Sequence, residues 1–222
     1  NGAVINIAAN ASTGSVTVAA PSDDAVIDAG SVSVTVASTS GGNYEQLTVG
    51  TGSAGNPVIT TVTDDADSTT LSLTASASVV EGGNITYTAS VTNPTGTALV
   101  VTLSNGSSIT IPAGQSSGNV SVAAPSDDVY IDAGSVTVSV TGTSGGNYEN
   151  LQNGSISATT AITDDTDSTT LNLTGTASVV EGGSIVYSAS LTNPTGTALT
   201  ITLSNGAVIN IAANASTGSV TV

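Results

Sequence analysis

The chain repeats itself, and no other property restricts its fold as much. "NGAVINIAANASTGSVTV", the first 18 residues, returns unchanged at 205–222. "TASASVVEGGNITYTASVTNPTGTAL" (Thr74 to Leu99) returns 100 positions on as "TGTASVVEGGSIVYSASLTNPTGTAL". "APSDDAVIDAGSVSVTVASTSGGNYEQL" (Ala20 to Leu47) returns 104 positions on as "APSDDVYIDAGSVTVSVTGTSGGNYENL". The four-residue difference falls between Leu47 and Thr63, where "TVGTGSAGNPVIT" is longer than its counterpart "QNGSISATT". That is a change of loop length between equivalent units. The fold must then be a string of similar domains, each about a hundred residues long. Residues 1–62 form the C-terminal part of one unit, 63–162 a complete unit, and 163–222 the N-terminal part of the next. The natural protein is expected to continue on both sides, because part of a sandwich cannot bury its sheet.

Within the complete unit, apolar residues alternate with Thr, Ser and Asn. Seven such stretches are expected to be strands: Thr70 to Ser76, Asn84 to Thr92, Ala98 to Ser104, Ser108 to Ile111, Asn119 to Ala124, Ser135 to Thr143 and Ile156 to Thr163. Between them stand "EGG", "NPTG", "NG", "PAGQSSG", "PSDD…DAG" and "GGN", which supply Gly, Asn or Pro where the backbone turns. The apolar 38% is almost all Val, Ile, Leu and Ala, with five Tyr and no Phe, Trp, Met or Cys. The reading is all-β: tandem Ig-like β-sandwiches of about seven strands each, in an end-to-end array. Tyr87, Tyr148 and Tyr187, three of the five Tyr, are expected in the core or at its edge. No apolar run approaches the roughly 20 residues of a membrane helix, and absent cysteines exclude disulfides and thiolate metal sites.

Sixteen acidic residues face no Lys, Arg or His, a formal charge of −16. That excludes electrostatic attraction to nucleic acid or anionic lipid, and no membrane insertion is expected. The acids are not spread out. If strands alternate up and down, the first ends at "EGG", the fifth at "PSDD" and the seventh at "TDD", all at one pole. This gathers Glu81, Asp127, Asp128, Asp132, Asp164, Asp165 and Asp167 where one unit meets the next, and Asp23, Asp24, Asp28, Asp64, Asp65 and Asp67 at the preceding junction. Asn93 and Glu149, from the opposite pole, are expected to complete the shell. Six or seven carboxylates in one loop cluster repel unless a cation lies among them, and the chain has no cation of its own. Oxygen donors without His or Cys, on irregular loops, select Ca2+ over Zn2+, Cu2+ or Mg2+. The competing explanation is a solvated acidic rim that aids solubility.

"DSTTLSLTASASVVEGGNITYTASVTNPTGTAL", followed by "APSDDVYIDAGSV" and "SGGNYENL", resembles the roughly hundred-residue extender repeats of giant bacterial adhesins, the RTX or LapA-like biofilm and ice-adhesin family. The resemblance runs over the whole chain. It implies Ig-like sandwiches secreted through a type I system, with Ca2+ at the domain junctions stiffening a stalk that holds terminal adhesive domains off the cell surface. The family's acidic junction residues correspond in kind to Asp64, Asp65, Asp67 and the "SDD…D" loop. "SVVEGG" also bears a looser likeness to Calx-β calcium modules. The complete absence of Lys and Arg is extreme even for such repeats.

Four function classes compete. The first is a calcium-stiffened extracellular spacer, each unit adding about 40 Å from strands that rise about 3.3 Å per residue. Its partners are adjacent repeats of the same chain. The second is a self-assembling matrix filament, in which other copies pack through Thr-, Val- and Ala-rich faces or exchange terminal strands. Recognition of ice or carbohydrate by the repeat is disfavoured by the scarcity of aromatic rings. Catalysis is disfavoured most, since only carboxylates, hydroxyls and Tyr are available, so the chain reads as not an enzyme.

Overall fold

Alternation becomes strand where a second strand is present to cover the apolar side. The computed structural model describes residues 2–50 and 57–222. The longer loop expected between Leu47 and Thr63 includes 51–56 and so lies partly outside the described residues. Among the described residues are sixteen strands and no helix: β1 (Gly30–Val34), β2 (Val58–Val62), β3 (Ser68–Ala75), β4 (Ser78–Val80), β5 (Asn84–Val91), β6 (Leu99–Leu103), β7 (Ser108–Ile111), β8 (Ser117–Ala123), β9 (Gly134–Gly145), β10 (Asn150–Asn153), β11 (Ser157–Thr163), β12 (Leu171–Gly175), β13 (Val186–Leu191), β14 (Leu199–Thr202), β15 (Val208–Ile211) and β16 (Thr217–Thr221). The all-β sandwich class holds.

All seven strands expected in the complete repeat are present, as β3, β5, β6, β7, β8, β9 and β11. Two more make nine. They are β4 and β10, three and four residues long. "SVV" is too short to show a period, and "NLQN" has no β-branched or aromatic residue. Their pairing explains them: β10 runs parallel to β3, and β4 runs parallel to β11. The repeat's first strand thus switches sheets after Ala75, and its last stretch switches in step. The sheet orders are β10-β3-β5-β8 and β4-β11-β9-β6-β7.

The chain falls into two compact units. The first comprises Asn1–Thr74, Thr88–Val120 and Ser139–Ser157. Its core holds Leu71, Leu73, Ala89, Val91, Leu99, Val101, Leu103, Ile109 and Ile111, all buried. Each is the inward half of an alternating strand, as in β6 and β7, which pair antiparallel with Leu99 opposite Ile111 and Val101 opposite Ile109. Tyr148 is buried here, its hydroxyl donating to Asn93 O at 2.8 Å. The antiparallel pair β1–β2 belongs to this unit as well.

The second unit comprises Ala75–Tyr87, Ser121–Val138 and Ala158–Val222. It buries Ile85, Tyr87, Val138 and Ile162, and separately Ala189, Ile209 and Ile211, against which Tyr187, Leu191 and Ile201 pack. Tyr87, Tyr148 and Tyr187 are therefore core or core-edge residues, as expected.

The exact 18-residue recurrence works as an internal experiment. At 205–222 it forms β15 and β16, with Ile209 and Ile211 fully buried. At the start of the chain the described counterparts, residues 2–18, form no strand, and Ile5 and Ile7 are more than half exposed. Yet the turn survives in both places. Asn10 and Asn214 share positive φ, and Ala11 N donates to Ala8 O as Ala215 N donates to Ala212 O, each at 3.0 Å. The turn is written locally; the strand requires β13 and β14 as neighbours.

Candidate metal centre

Parallel pairing of β4 with β11 delivers the chain to the same place twice. The residue after β4 is Glu81 and the residue after β11 is Asp164, with Glu81 N donating to Thr163 O at 3.0 Å. A third segment is tied in by backbone bonds: Gly82 N donates to Pro125 O at 2.7 Å and Ala124 N to Gly83 O at 2.9 Å. Gly82 has φ +69, and a Cβ there would sit 3.0 Å from the Asp127 Cβ, so the "EGG" turn requires glycine at this position. "EGG", "PSDD…D" and "TDD" meet in this way, as the strand count expected.

Two overlapping carboxylate groups result. Glu81, Asp132 and Asp164 each place an oxygen within 4.8 Å of the others, and so do Glu81, Asp127 and Asp165. Glu81 belongs to both. It is only 7% exposed, and its Oε1 is buried with no hydrogen-bond partner. Its carboxyl is pushed up to about 7, first by burial, then by a hydrogen bond with the Asp164 carboxyl and by the charges of Asp132, Asp164 and Asp127. Burial and the neighbouring Asp165 and Asp167 also raise Asp127 above the usual carboxylate range. Asp128 has a shaping role: its Oδ1 accepts the Tyr130 N–H at 2.8 Å.

The first cluster repeats much of this. Asp23, Asp65 and Asp67 place oxygens within 4.8 Å of one another. The charges of Asp65 and then Asp67 raise Asp23, and the charge of Asp24 leads the causes that raise Asp28. Asp24 Oδ1 accepts the Val26 N–H at 2.8 Å, as Asp128 does for Tyr130. Asp64 Oδ2 accepts the Asp28 N–H at 3.2 Å, joining the two acidic loops. Glu149 reaches this cluster: its Oε2 accepts the Asp67 N–H at 2.6 Å. Asn93 stands beside it, lining a hollow with Asp24 and Asp67. Its Nδ2 donates to Ser68 O and Thr69 Oγ1, which ties it to the start of β3.

The residues fit a hard cation. Every donor is oxygen, the carboxylates raise one another's proton affinity, and Glu81 Oε1 is desolvated without compensation, which is costly unless something positive binds it. The strand count missed Asn147 and the residue pair Val26 and Tyr130, which shape the surroundings of the clusters. The "GGN" triplet that Asn147 closes reads from sequence only as a turn.

Comparison with known families follows the repeat. The LapA domain matches three consecutive segments, residues 1–65, 67–166 and 167–222. The chain belongs to the LapA domain family. This is a domain of LapA-like adhesins, so the membership places these sandwiches in an adhesin and biofilm context and favours a structural role over an enzymatic one. No curated protein matches the LapA-domain chain.

Proposed function

We propose that these LapA domains are an extender segment of a secreted bacterial surface adhesin, stiffened by Ca2+ at the junctions between repeats and projecting adhesive domains from the cell. The observation that carries the reading is Glu81 Oε1, buried and unpartnered where four aspartates from two other loops converge, in a chain without one basic side chain. Glu81, Asp127, Asp132, Asp164 and Asp165 would hold calcium at one junction; Asp23, Asp65 and Asp67 at the other, with Asp24, Asp28, Asp64 and Glu149 around them. A bound cation neutralises the mutual repulsion and fixes loops from successive elements in one arrangement, which turns a hinge into a rod. The acting partners are then the adjacent repeats, outside the cell.

Calorimetric titration with CaCl2, read together with thermal melting in Ca2+ and in EGTA, tests this. Saturable binding with a higher melting temperature is expected. Absence of binding would return the acidic loops to a solvated rim and remove the stiffening mechanism.

A further inference from the structure

The segment bearing Asp24 and Asp28 also makes a contact in which no carboxylate takes part. Ala25 to Ile27 lies antiparallel against the loop after β9, with Val26 and Tyr148 forming a β-bridge. Ile27 N donates to Asn147 O at 3.0 Å, Asn147 Nδ2 donates back to Ile27 O at 2.8 Å, and Glu149 N donates to Ala25 O at 3.4 Å. One residue, Asn147, thus takes both the N–H and the C=O of Ile27. It does so from a left-handed backbone, φ +55, which asparagine tolerates better than most residues.

The receiving loop is itself held. Gly96 N donates to Gly146 O at 3.1 Å, and Tyr148 is fastened to Asn93 O. Gly96 lies under the Val26 side chain, and a Cβ there would run into Val26 Cγ1. In the next copy the position of Val26 is occupied by Tyr130, and the seat recurs. The Tyr130 ring lies over Gly196, where an added Cβ would come within 3.1 Å of Cδ1, and its hydroxyl donates to Pro194 O at 2.8 Å.

We infer that the Gly145–Glu149 loop, with Gly96 beneath it, is a docking site for the Ala25–Asp28 segment of the preceding repeat, a direct latch that holds without a cation. Its bonds are between neutral backbone and amide groups, so chelation leaves them intact. The junction then has two fastenings: the acidic cluster, which depends on its counter-ion, and the latch, which does not. This goes beyond calcium stiffening, under which chelation alone frees the joint.

The chain carries its own reference. Ile131 is the counterpart of Ile27 in the same "ID" context, but no counterpart of Asn147 follows it within the chain, and it is 94% exposed. Amide hydrogen exchange of the full chain, resolved by NMR at Ile27 and Ile131, tests the latch in CaCl2 and in EGTA. Ile27 is expected to exchange roughly tenfold or more slowly than Ile131 in both conditions, about the protection of one net hydrogen bond. Asn147→Gly suits the loop's positive φ, keeps the carbonyl that accepts the Ile27 N–H and removes only the side-chain clamp on Ile27 O, so it should lower that ratio in EGTA without erasing it. Asn43→Gly, in the equivalent loop, on which no segment docks among the described residues, should leave the ratio unchanged. Protection of Ile27 confined to CaCl2 would overturn the latch while sparing the calcium reading, and equal exchange of Ile27 and Ile131 in both conditions would also overturn it. Persistent Ile27 protection without any Ca2+ effect on melting would leave the latch standing and sink the calcium reading.

Discussion

At the first joint, Ala25 to Ile27 is clamped by Asn147 and Glu149, and the Glu149 carboxylate bonds the Asp67 backbone within the acidic cluster. At the second, Tyr130 reaches Pro194, Ile131 stands free, and the cluster is organised around the buried Glu81. The first joint contains no counterpart of Glu81 within the chain, and the second contains no counterpart of Glu149. The preceding repeat supplies a buried glutamate and a docking segment; the following repeat supplies a receptor loop and a second glutamate. The difference sets a carboxylate cluster apart from a direct contact.

Removing the cation is expected to have the largest effect on this contrast. Ca2+ at a hundredfold excess over Kd stabilises by about 2.7 kcal/mol per site, which for a chain of this size raises Tm on the order of 5 to 10 °C. Scanning calorimetry in Ca2+ and in EGTA reads this, and identical traces would show that neither cluster binds.

Next comes Glu81→Gln against Asp65→Asn. Each keeps the side-chain shape and removes one charge. Glu81→Gln should weaken Ca2+ at the second joint by at least about tenfold, a loss seen even for outer-shell partners of a metal. Asp65→Asn should weaken only the first. Calorimetric titration distinguishes the two, and an equal loss at both joints from either variant would mean that the clusters do not act independently.

Third is the pH dependence. Glu81, Asp23, Asp28 and Asp127 all have raised carboxyls in the folded chain, Glu81 to about 7 from 4.5. In EGTA the folded state therefore holds protons that the unfolded state has already released. Stability is fully present below the unfolded value and falls as pH rises through the window from 4.5 to about 7 for Glu81. With Ca2+ bound, the carboxylates are held ionised, so the slope reverses and acidification destabilises. Melting curves between pH 4.5 and 7.5, with and without Ca2+, should cross; parallel curves would contradict ion binding at Glu81.

Smallest is Tyr130→Phe, which removes the hydroxyl bond to Pro194 and leaves the ring over Gly196. One hydrogen bond contributes about 0.5 to 1.5 kcal/mol, so a Tm change of a few degrees at most is expected, with no change in Ca2+ stoichiometry. A change in ion count would mean that the Tyr130 seat and the cluster are one structure.

Much of this was legible beforehand because it is local or periodic. Alternation located seven strands, and strand parity gathered Glu81, Asp127 and Asp164 without knowledge of the sheets. Asn10 and Asn214 show that turn chemistry travels with the sequence. The missing parts are those that depend on a neighbour. β4 and β10 exist because β11 and β3 lie beside them, and their own residues carry no period. The Asn147 clamp pairs residues 120 positions apart, and a "GGN" triplet reads the same whether or not a segment docks on it. Asn93 shows the same dependence on a neighbour: its amide nitrogen donates to Ser68 O and Thr69 Oγ1, a tie that its residue type does not announce.

The split first strand also bears on how a repeat carries load. β3 lies parallel to β10, and β4 parallel to β11, so the stretches by which the chain enters and leaves the repeat are neighbours pointing the same way. Tension along the backbone pulls such neighbours past each other lengthwise, and their rungs must yield together rather than peel one at a time. Forced unfolding of strands paired this way is governed by the rate of unfolding rather than by equilibrium stability.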